Sequence, residues 1–260
     1  FEGEYITDLG LAEQRKATVR FKMAQGFFDR AEFASKYIVR TRVTDNDLEI
    51  LRKFPALNYL NLQRTEATDA GLVHLKSLRK LEHLVLNPQT TDEGLAHLAH
   101  LQQLKSICLA QTQVTGVGFA QLKGLSHLEE INLTNSQASD AGMEKICDHA
   151  GLLTLNLGNS KVTDKGISHL SDLTKLQRLT LHRTGITDAG LPHLLILENL
   201  RSLTLDGTKV TDQGIGQLAS LKNLDAVSFT EPLVTKVGVE KLRGQMPKAS
   251  IHLWPATTKR

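Results

Sequence analysis

The chain has 260 residues, of which 40% are hydrophobic, so it contains enough apolar side chains to build a core. Its 31 Lys and Arg residues are interleaved with 28 Asp and Glu residues, and the net charge of +3 does not favour nucleic acid or an anionic membrane as the main partner. No apolar run is long enough to cross a bilayer, so we expect no membrane insertion.

Residues 1–34 differ in composition from the rest of the chain, because they hold five of its eight phenylalanines. The small and aromatic side chains that would share one helical face are Ala17, Phe21, Ala24, Phe28 and Ala31. Repeat proteins need a cap that covers the open edge of their first repeat. We therefore expect residues 1–34 to form an N-terminal helical cap.

From residue 35 onward the chain repeats the motif Thr-Asp-x-Gly-Leu in identical or related form. Nine copies begin at Thr44, Thr68, Thr91, Thr115, Ser139, Thr163, Thr187, Thr211 and Thr235, and every step is 24 residues except one of 23. A fixed period of this length is typical of a solenoid, in which each repeat packs on its neighbours. We expect one continuous domain over residues 35–255 with about ten rungs, followed by a tail at residues 256–260.

Each repeat predicts a strand followed by a short helix. The pattern Leu-x-x-Leu-x-Leu, as in Leu57, Leu60 and Leu62, places apolar side chains on one face of a half-buried strand. The Thr of the motif is a good helix N-cap, and the Asp after it complements the positive end of the helix dipole. The glycine two places after the Asp, as at Gly71, costs up to ~1 kcal/mol in a helix, so we infer close backbone packing there.

These repeats resemble leucine-rich repeats, in particular the cysteine-containing type of F-box/LRR proteins, whose unit reads LxxLxLxxCxxITDxGLxxL. Many bacterial leucine-rich-repeat proteins, planctomycete ones especially, are similar to the sequence as well. The resemblance implies an α/β fold: a right-handed solenoid, or horseshoe, with a parallel sheet on its concave face and short helices on its convex face. Two departures are that the cysteine position carries Thr or Ser, as at Thr65 and Ser136, and that the stretch from it to Thr-Asp is one residue shorter.

The repeat accounts for the residues that could otherwise suggest a metal site. Four histidines occupy the same helical position of different repeats, namely His74, His97, His169 and His193. Neighbouring helices lie roughly 8 to 10 Å apart, whereas zinc needs ligands that converge at about 2 Å. The Asp residues of the motif run along one edge of the solenoid, and the dipole of its own helix explains each of them without calcium. We therefore predict no metal site.

Cys147, Asp148 and His149 form the densest group of potentially catalytic side chains, but consecutive helical side chains diverge. The chain also lacks the motifs of nucleophile elbows, zinc proteases and phosphate loops. We therefore predict that the protein is not an enzyme, with no catalytic residue and no cofactor. Cys108 on a strand and Cys147 on a helix are placed too differently for a disulfide.

The outward side chains of the strands are the predicted functional surface, a strip on the order of 45 Å long. Tyr and Arg, which are enriched at binding hot spots, cluster at its N-terminal end, although a folded-over cap could equally bury the tyrosines. In a second cluster Asp206 lies roughly 5 Å from His182, which also suits a solvated ion pair. The candidate partner-binding residues are Tyr37, Arg40, Tyr59, Asn61, Arg64, His83, Arg178, His182, Arg183 and Asp206. Trp254 is expected to pack within a C-terminal cap.

The sequence thus predicts a non-catalytic interaction module that binds a protein or peptide partner on its concave face. The identity of the partner and the oligomeric state of the protein do not follow from the sequence. The alternatives are a substrate-recognition subunit of a ubiquitin-ligase-like or effector complex, a carbohydrate or cell-wall binder, and an architectural spacer. We expect a soluble protein, with the cytoplasm slightly favoured; a chain that begins at Phe1 fits either a trimmed piece or a processed product that has lost a signal peptide.

Overall fold

The computed structural model describes residues 43–255, which contain one parallel sheet of nine strands in sequential order. The strands are β1 (Tyr59–Asn61), β2 (His83–Val85), β3 (Ser106–Cys108), β4 (Glu130–Asn132), β5 (Thr154–Asn156), β6 (Arg178–Thr180), β7 (Ser202–Thr204), β8 (Ala226–Thr230) and β9 (Ser250–Trp254). The cap predicted at residues 1–34, the first predicted strand at 35–40 and the tail at 256–260 lie outside the described residues.

A short helical segment begins within or directly after the motif of each repeat. The α-helices are α1 (Asp92–Leu95), α2 (Asp140–Ile146), α3 (Asp164–Ile167), α4 (Asp212–Ile215) and α5 (Lys236–Gln245). The 3-10 helices are Asp45–Lys53, Asp69–Ser77, Ala96–Leu98, Val117–Leu122, Leu170–Asp172, Leu191–Leu194 and Gly216–Ser220. A 3-10 helix rises about 2.0 Å per residue, against 1.5 Å for an α-helix, so it spans the distance back to the sheet with fewer residues.

The strand register aligns equivalent residues of successive repeats. The central strand residues are Leu60, Leu84, Ile107, Ile131, Leu155, Leu179, Leu203, Val227 and Ile251, and none is more than 5% exposed. Residues on either side of each, such as Tyr59 and Asn61, point to the opposite face of the sheet. The period-two pattern of the sequence is thereby confirmed, with one continuous aliphatic core on the helical side.

The Thr and Asp of the motif connect each repeat to the next. Thr68 Oγ1 accepts from the Ala70 N–H at 3.3 Å, which confirms the predicted N-cap. The Asp does more than complement its own helix dipole: Asp164 Oδ1 accepts from the Thr187 N–H at 2.9 Å and Oδ2 accepts from Thr187 Oγ1 at 2.6 Å. We call this series of contacts the Thr–Asp ladder. Its other pairs are Asp45–Thr68, Asp69–Thr91, Asp92–Thr115, Asp140–Thr163, Asp188–Thr211 and Asp212–Thr235.

The ladder also explains the glycine of the motif. A Cβ atom on Gly190 would collide with Asp164 Oδ1 and would lie 2.8 Å from Ile167 Cδ1. The carboxylate of the preceding repeat would meet a Cβ in the same way at Gly71, Gly94, Gly166, Gly214 and Gly238. The close packing inferred from the sequence is confirmed, and the atom that requires it belongs to the neighbouring repeat.

The ladder is interrupted at one place within residues 43–255. Gly116 stands where the Asp would be and has a φ of 97°, in the left-handed region that favours glycine. The Thr115 carbonyl accepts from the Ser139 N–H at 3.1 Å instead, and a Cβ on Gly142 would collide with that carbonyl. A direct backbone contact therefore joins these two repeats without a carboxylate.

Hydroxyl groups at the cysteine position stabilise the turn after the strand in the repeats of Thr65, Thr112, Ser136, Thr184 and Thr208. Thr112 Oγ1 donates to the Leu109 carbonyl at 2.7 Å and accepts from the Val114 N–H at 3.4 Å. Ser136 makes the same pair of hydrogen bonds to Leu133 and Ala138. Because these side chains are buried, the hydroxyl satisfies backbone groups that water cannot reach.

Candidate interaction surface

The outward side chains of β1–β9 and of the turns that follow them form a polar surface, which we call the concave face. Its first row is Tyr59, His83, Ser106, Glu130, Thr154, Arg178, Ser202, Ala226 and Ser250. Its second row is Asn61, Val85, Cys108, Asn132, Asn156, Thr180, Thr204, Ser228 and His252. These are the outward positions that the sequence predicted.

The N-terminal cluster of candidate residues is partly described. Tyr59 is half-buried, its hydroxyl accepts a long hydrogen bond of 3.5 Å from Asn61 Nδ2, and burial raises the pKa of its phenol. His83 pairs with Tyr59 in the sheet register, and burial lowers its pKa. Arg64 is exposed in the turn after β1. The structure places Tyr59, Asn61 and His83 side by side and Arg64 in the adjoining turn, whereas Tyr37 and Arg40 lie outside the described residues.

A column of residues with a left-handed backbone conformation lies beside the ends of the strands. Each of them directly precedes the Thr or Ser at the cysteine position of its repeat. The members of the column are Arg64, Gln111, Asn135, Asn159, Arg183 and Gly207, with φ values between 53° and 68°. Apart from the glycine, each pays roughly 1 to 2 kcal/mol for this conformation. Backbone hydrogen bonds to the next repeat hold it, as in the Arg183 N–H donation to the Asp206 carbonyl at 2.7 Å. The column fixes the direction in which these side chains leave the sheet. Sequence reasoning missed it, although the Asn and Gly at this position are a signal.

The asparagines of the central strands are oriented by the backbone. Asn132 Oδ1 accepts from the N–H of Thr134 at 3.0 Å, and Asn156 Oδ1 accepts from the N–H of Gly158 at 3.1 Å. Because a backbone N–H can only donate, the oxygen of each amide is identified and the NH2 group faces away from it. Asn159 Nδ2 donates to Asn135 Oδ1 at 2.6 Å, so the NH2 of Asn135 is likewise left for other contacts.

The second candidate cluster lies on β6 and in the turn after it. Arg178 is exposed, and its Nε donates to Thr154 Oγ1 at 3.1 Å. The His182 ring lies over Gly158 of the preceding repeat so closely that a Cβ at Gly158 would overlap it. Burial and the charge of Arg183 lower the pKa of His182, and the charge of Asp206 opposes them.

Asp206 does not form the hydrogen-bonded pair with His182 that the strand spacing suggested. Its carboxylate accepts from Ser228 Oγ at 2.5 Å and from Thr230 Oγ1 at 3.3 Å. The physical reason is that the missing side chain of Gly158 gives the imidazole room on one side, while two hydroxyl groups of β8 reach the carboxylate on the other. Arg178 and His182 therefore contact the preceding repeat, whereas Asp206 contacts the following one.

The C-terminal end of the concave face carries an exposed aromatic pair. Trp254 is 56% exposed, and its ring stacks on His252 with centroids 6.2 Å apart at an interplanar angle of 16°. The expectation that Trp254 packs inside a cap is therefore wrong for the described residues.

A cavity of about 400 Å³ lies between α5 and the end of β9, lined by Glu231, Lys236, Val239, Glu240, Arg243, Leu253 and Pro255.

Two residues of the candidate catalytic group, Cys147 and His149, are part of the core, whereas Asp148 is exposed and pairs with Lys123 at 2.8 Å. Cys147 is 4% exposed, and burial raises the pKa of its thiol to about 12, so it is not a thiolate near neutral pH. The His149 ring packs edge-on against Phe119 with centroids 5.8 Å apart, and burial lowers its pKa. Cys108 and Cys147 are both free thiols, as their placement on a strand and at a helix end predicts.

Residues 43–255 contain no group of three His, Cys, Asp or Glu side chains placed to hold a metal ion. Within the same residues, every helix is too short or too polar to cross a bilayer.

Solved structures with this architecture are leucine-rich-repeat proteins. An internalin, InlF, of Listeria monocytogenes is 18% identical with a TM-score of 0.56, and the match covers 82% of this chain and 71% of that chain. The plant peptide hormone receptor RGFR1, solved in complex with RGF2, is 16% identical with a TM-score of 0.51, covering 77% of this chain and 32% of the receptor chain. No protein-family model and no curated protein matches the sequence.

At these identities the comparison establishes the fold alone. The chain is a right-handed leucine-rich-repeat solenoid with its parallel sheet on the concave face and short helices on the convex face.

Proposed function

We propose that this protein is a non-catalytic interaction module that binds a protein or peptide partner on its concave face. The observation that carries the proposal is the polar surface of β4–β6, whose side chains are held in place by hydrogen bonds within and between repeats. A surface that is already ordered loses little conformational entropy on binding. Nine strands about 4.8 Å apart give a strip roughly 40 Å long, which is enough for an interface of about 800 Å² per partner.

The RGFR1 structure supports a peptide partner, because that leucine-rich-repeat receptor was solved with RGF2 bound. The same fold therefore holds a peptide ligand in another protein. The motif resembles cysteine-containing repeats, and this resemblance implies a role in a larger recognition complex. That role is a more specific hypothesis about the same surface than binding of a protein or peptide.

We propose two patches of the concave face as the contact residues. The N-terminal patch consists of Tyr59, Asn61, Arg64 and His83, with Tyr37 and Arg40 predicted beside it. The β6 patch consists of Arg178, His182, Arg183 and Asp206. Arg64, Arg178 and Arg183 are exposed, and arginine is among the residues most enriched at binding hot spots.

Affinity capture from a lysate of the source cells with four baits tests this function. The baits are wild type, Tyr59→Ala/Arg64→Ala, Arg178→Ala/Arg183→Ala, and the control Lys76→Ala/Arg79→Ala, which changes exposed residues on the helical side. We expect at least one protein that wild type and control retain and a concave-face variant loses. If every bait captures the same proteins in equal amounts, the concave face is not the recognition surface.

A further inference from the structure

We propose that the segment bound by the central part of the concave face is acidic, an inference that rests on the proposed function and names the chemistry of its partner. The surface concerned consists of Asn132, Asn135, Asn156, Arg178 and Arg183, which we call the donor patch. These side chains present hydrogen-bond donors to a ligand, and the amide oxygens of the three asparagines already accept hydrogen bonds within the protein. The complementary ligand therefore supplies acceptors.

Backbone N–H groups fix the polarity of the Asn132 and Asn156 amides, and the Asn135 amide pairs with that of Asn159. The side-chain oxygens of Asn132 and Asn156 accept from the backbone of their own turns, and that of Asn135 accepts from Asn159. Among the described residues, the three NH2 groups of these amides donate no hydrogen bond. Because an amide NH2 group can only donate, each of them favours a carboxylate or carbonyl oxygen over a second donor.

The two arginines add positive charge at fixed positions. Arg178 is anchored through Nε to Thr154, which leaves the paired Nη groups as a fork for a carboxylate. Arg183 leaves the sheet from a backbone with a φ of 53°, and its exposed guanidinium forms no ion pair within residues 43–255.

The acidic side chains that border the donor patch are already engaged. Asp206 accepts from Ser228 and Thr230, and Glu130 at the start of β4 also has an interaction partner. The groups left to meet a ligand are therefore the cationic and amide donors. This asymmetry distinguishes an acidic segment from a basic one, which would place its charges against the two guanidinium groups.

The spacing of the arginines sets the spacing of the acidic residues. Arg178 at the start of β6 and Arg183 in the turn after it are separated by five positions, a span of at most about 16 Å at 3.3 Å per residue. An extended segment that meets both guanidinium groups therefore carries two acidic residues roughly four to six positions apart, whichever way it lies on the sheet.

Selection from a random 12-residue peptide library displayed on its encoding messenger RNA tests the inference. Three immobilised proteins are compared: wild type, Arg178→Gln/Arg183→Gln and the control Lys76→Gln/Arg79→Gln, which has the same change in charge on the helical side. A urea unfolding midpoint for each variant confirms that it is folded. We expect wild type and control to enrich peptides with two Asp or Glu residues four to six positions apart, and the concave variant to lose them.

The selected peptide is then labelled, and its affinity is measured by fluorescence anisotropy beside a version with Asn in place of each acidic residue. We expect at least a tenfold loss for the Asn version and for the concave variant, and less than a twofold change for the control. Peptides that are not acidic but still depend on Arg178 and Arg183 would overturn the acidic partner and leave the proposed function standing. Equal enrichment by all three proteins, or none, would overturn both.

Discussion

Removal of one carboxylate from the Thr–Asp ladder should measurably loosen the solenoid. In Asp164→Ala the hydrogen bonds to the Thr187 N–H and Oγ1, at 2.9 and 2.6 Å, are both lost. Hydrogen bonds to charged groups are worth about 1.5 to 3 kcal/mol each when removed from a protein, and both partners here are only half-buried, so water replaces part of the loss. We expect a destabilisation of about 2 kcal/mol, and about 1 kcal/mol for Asp164→Asn, which keeps the acceptor for the N–H.

A second substitution makes the prediction specific to the ladder. Gly190→Ala places a Cβ against Asp164 Oδ1 and Ile167 Cδ1, and overpacking of this kind costs about 1 to 3 kcal/mol. When Asp164 is already alanine, the collision with the carboxylate disappears. The double variant should therefore be more stable than the sum of the single changes predicts, by about 1 kcal/mol or more.

Urea unfolding followed by far-ultraviolet circular dichroism gives the free energies for this cycle, with the m-value as a check that the array still unfolds cooperatively. Gly142→Ala is the matched control, because its neighbour is the Thr115 carbonyl and not a carboxylate. Its cost should add to that of Asp164→Ala. Simple additivity of Asp164→Ala with Gly190→Ala, or an Asp164→Ala variant as stable as wild type, would refute the role assigned to the ladder.

Three further predictions concern buried or half-buried groups. Thr112→Val should lower the free energy of unfolding by about 1 to 2 kcal/mol because it removes the hydroxyl that donates to the Leu109 carbonyl and accepts from the Val114 N–H, whereas Thr112→Ser should retain most of the stability; equal urea midpoints would contradict this. Burial holds the pKa of His149 below 6.5, so as the pH falls the unfolded chain takes up the imidazole proton before the folded chain does. The free energy of unfolding should therefore decrease as the pH drops through about 6.5. A His149→Gln variant whose stability shows the same pH dependence would argue against this. The pKa of His182 is also lowered from 6.5, and an acidic ligand favours its protonated form, so affinity for the selected acidic peptide should rise as the pH falls below about 6.5 and stay flat in His182→Gln.

Much of the fold could be predicted from local periodicity. Leu60 and its equivalents face the core because side chains alternate along a strand, and this holds in every repeat whatever its neighbours are. Thr68 caps its helix with atoms two residues away, so the Thr-Asp pair alone indicates the helix start. The outward rows of the concave face follow from the same alternation, which is why Tyr59, Arg64 and Arg178 could be placed on that surface from the sequence.

The orientation of side chains on that surface could not be predicted, because it depends on contacts across 20 residues or more of sequence. Asp206 faces Ser228 and Thr230 rather than His182, and nothing in the local sequence distinguishes these neighbours.

The sequence by itself therefore determined the repeat, the strand and helix of each unit, and which side chains face the core, since these depend on residues within one repeat. Only the tertiary structure decided what the motif does between repeats. The Asp of one repeat, the Thr of the next and the glycine after it form a single contact, because stacking at the strand spacing brings residues 22 to 24 positions apart within hydrogen-bonding distance.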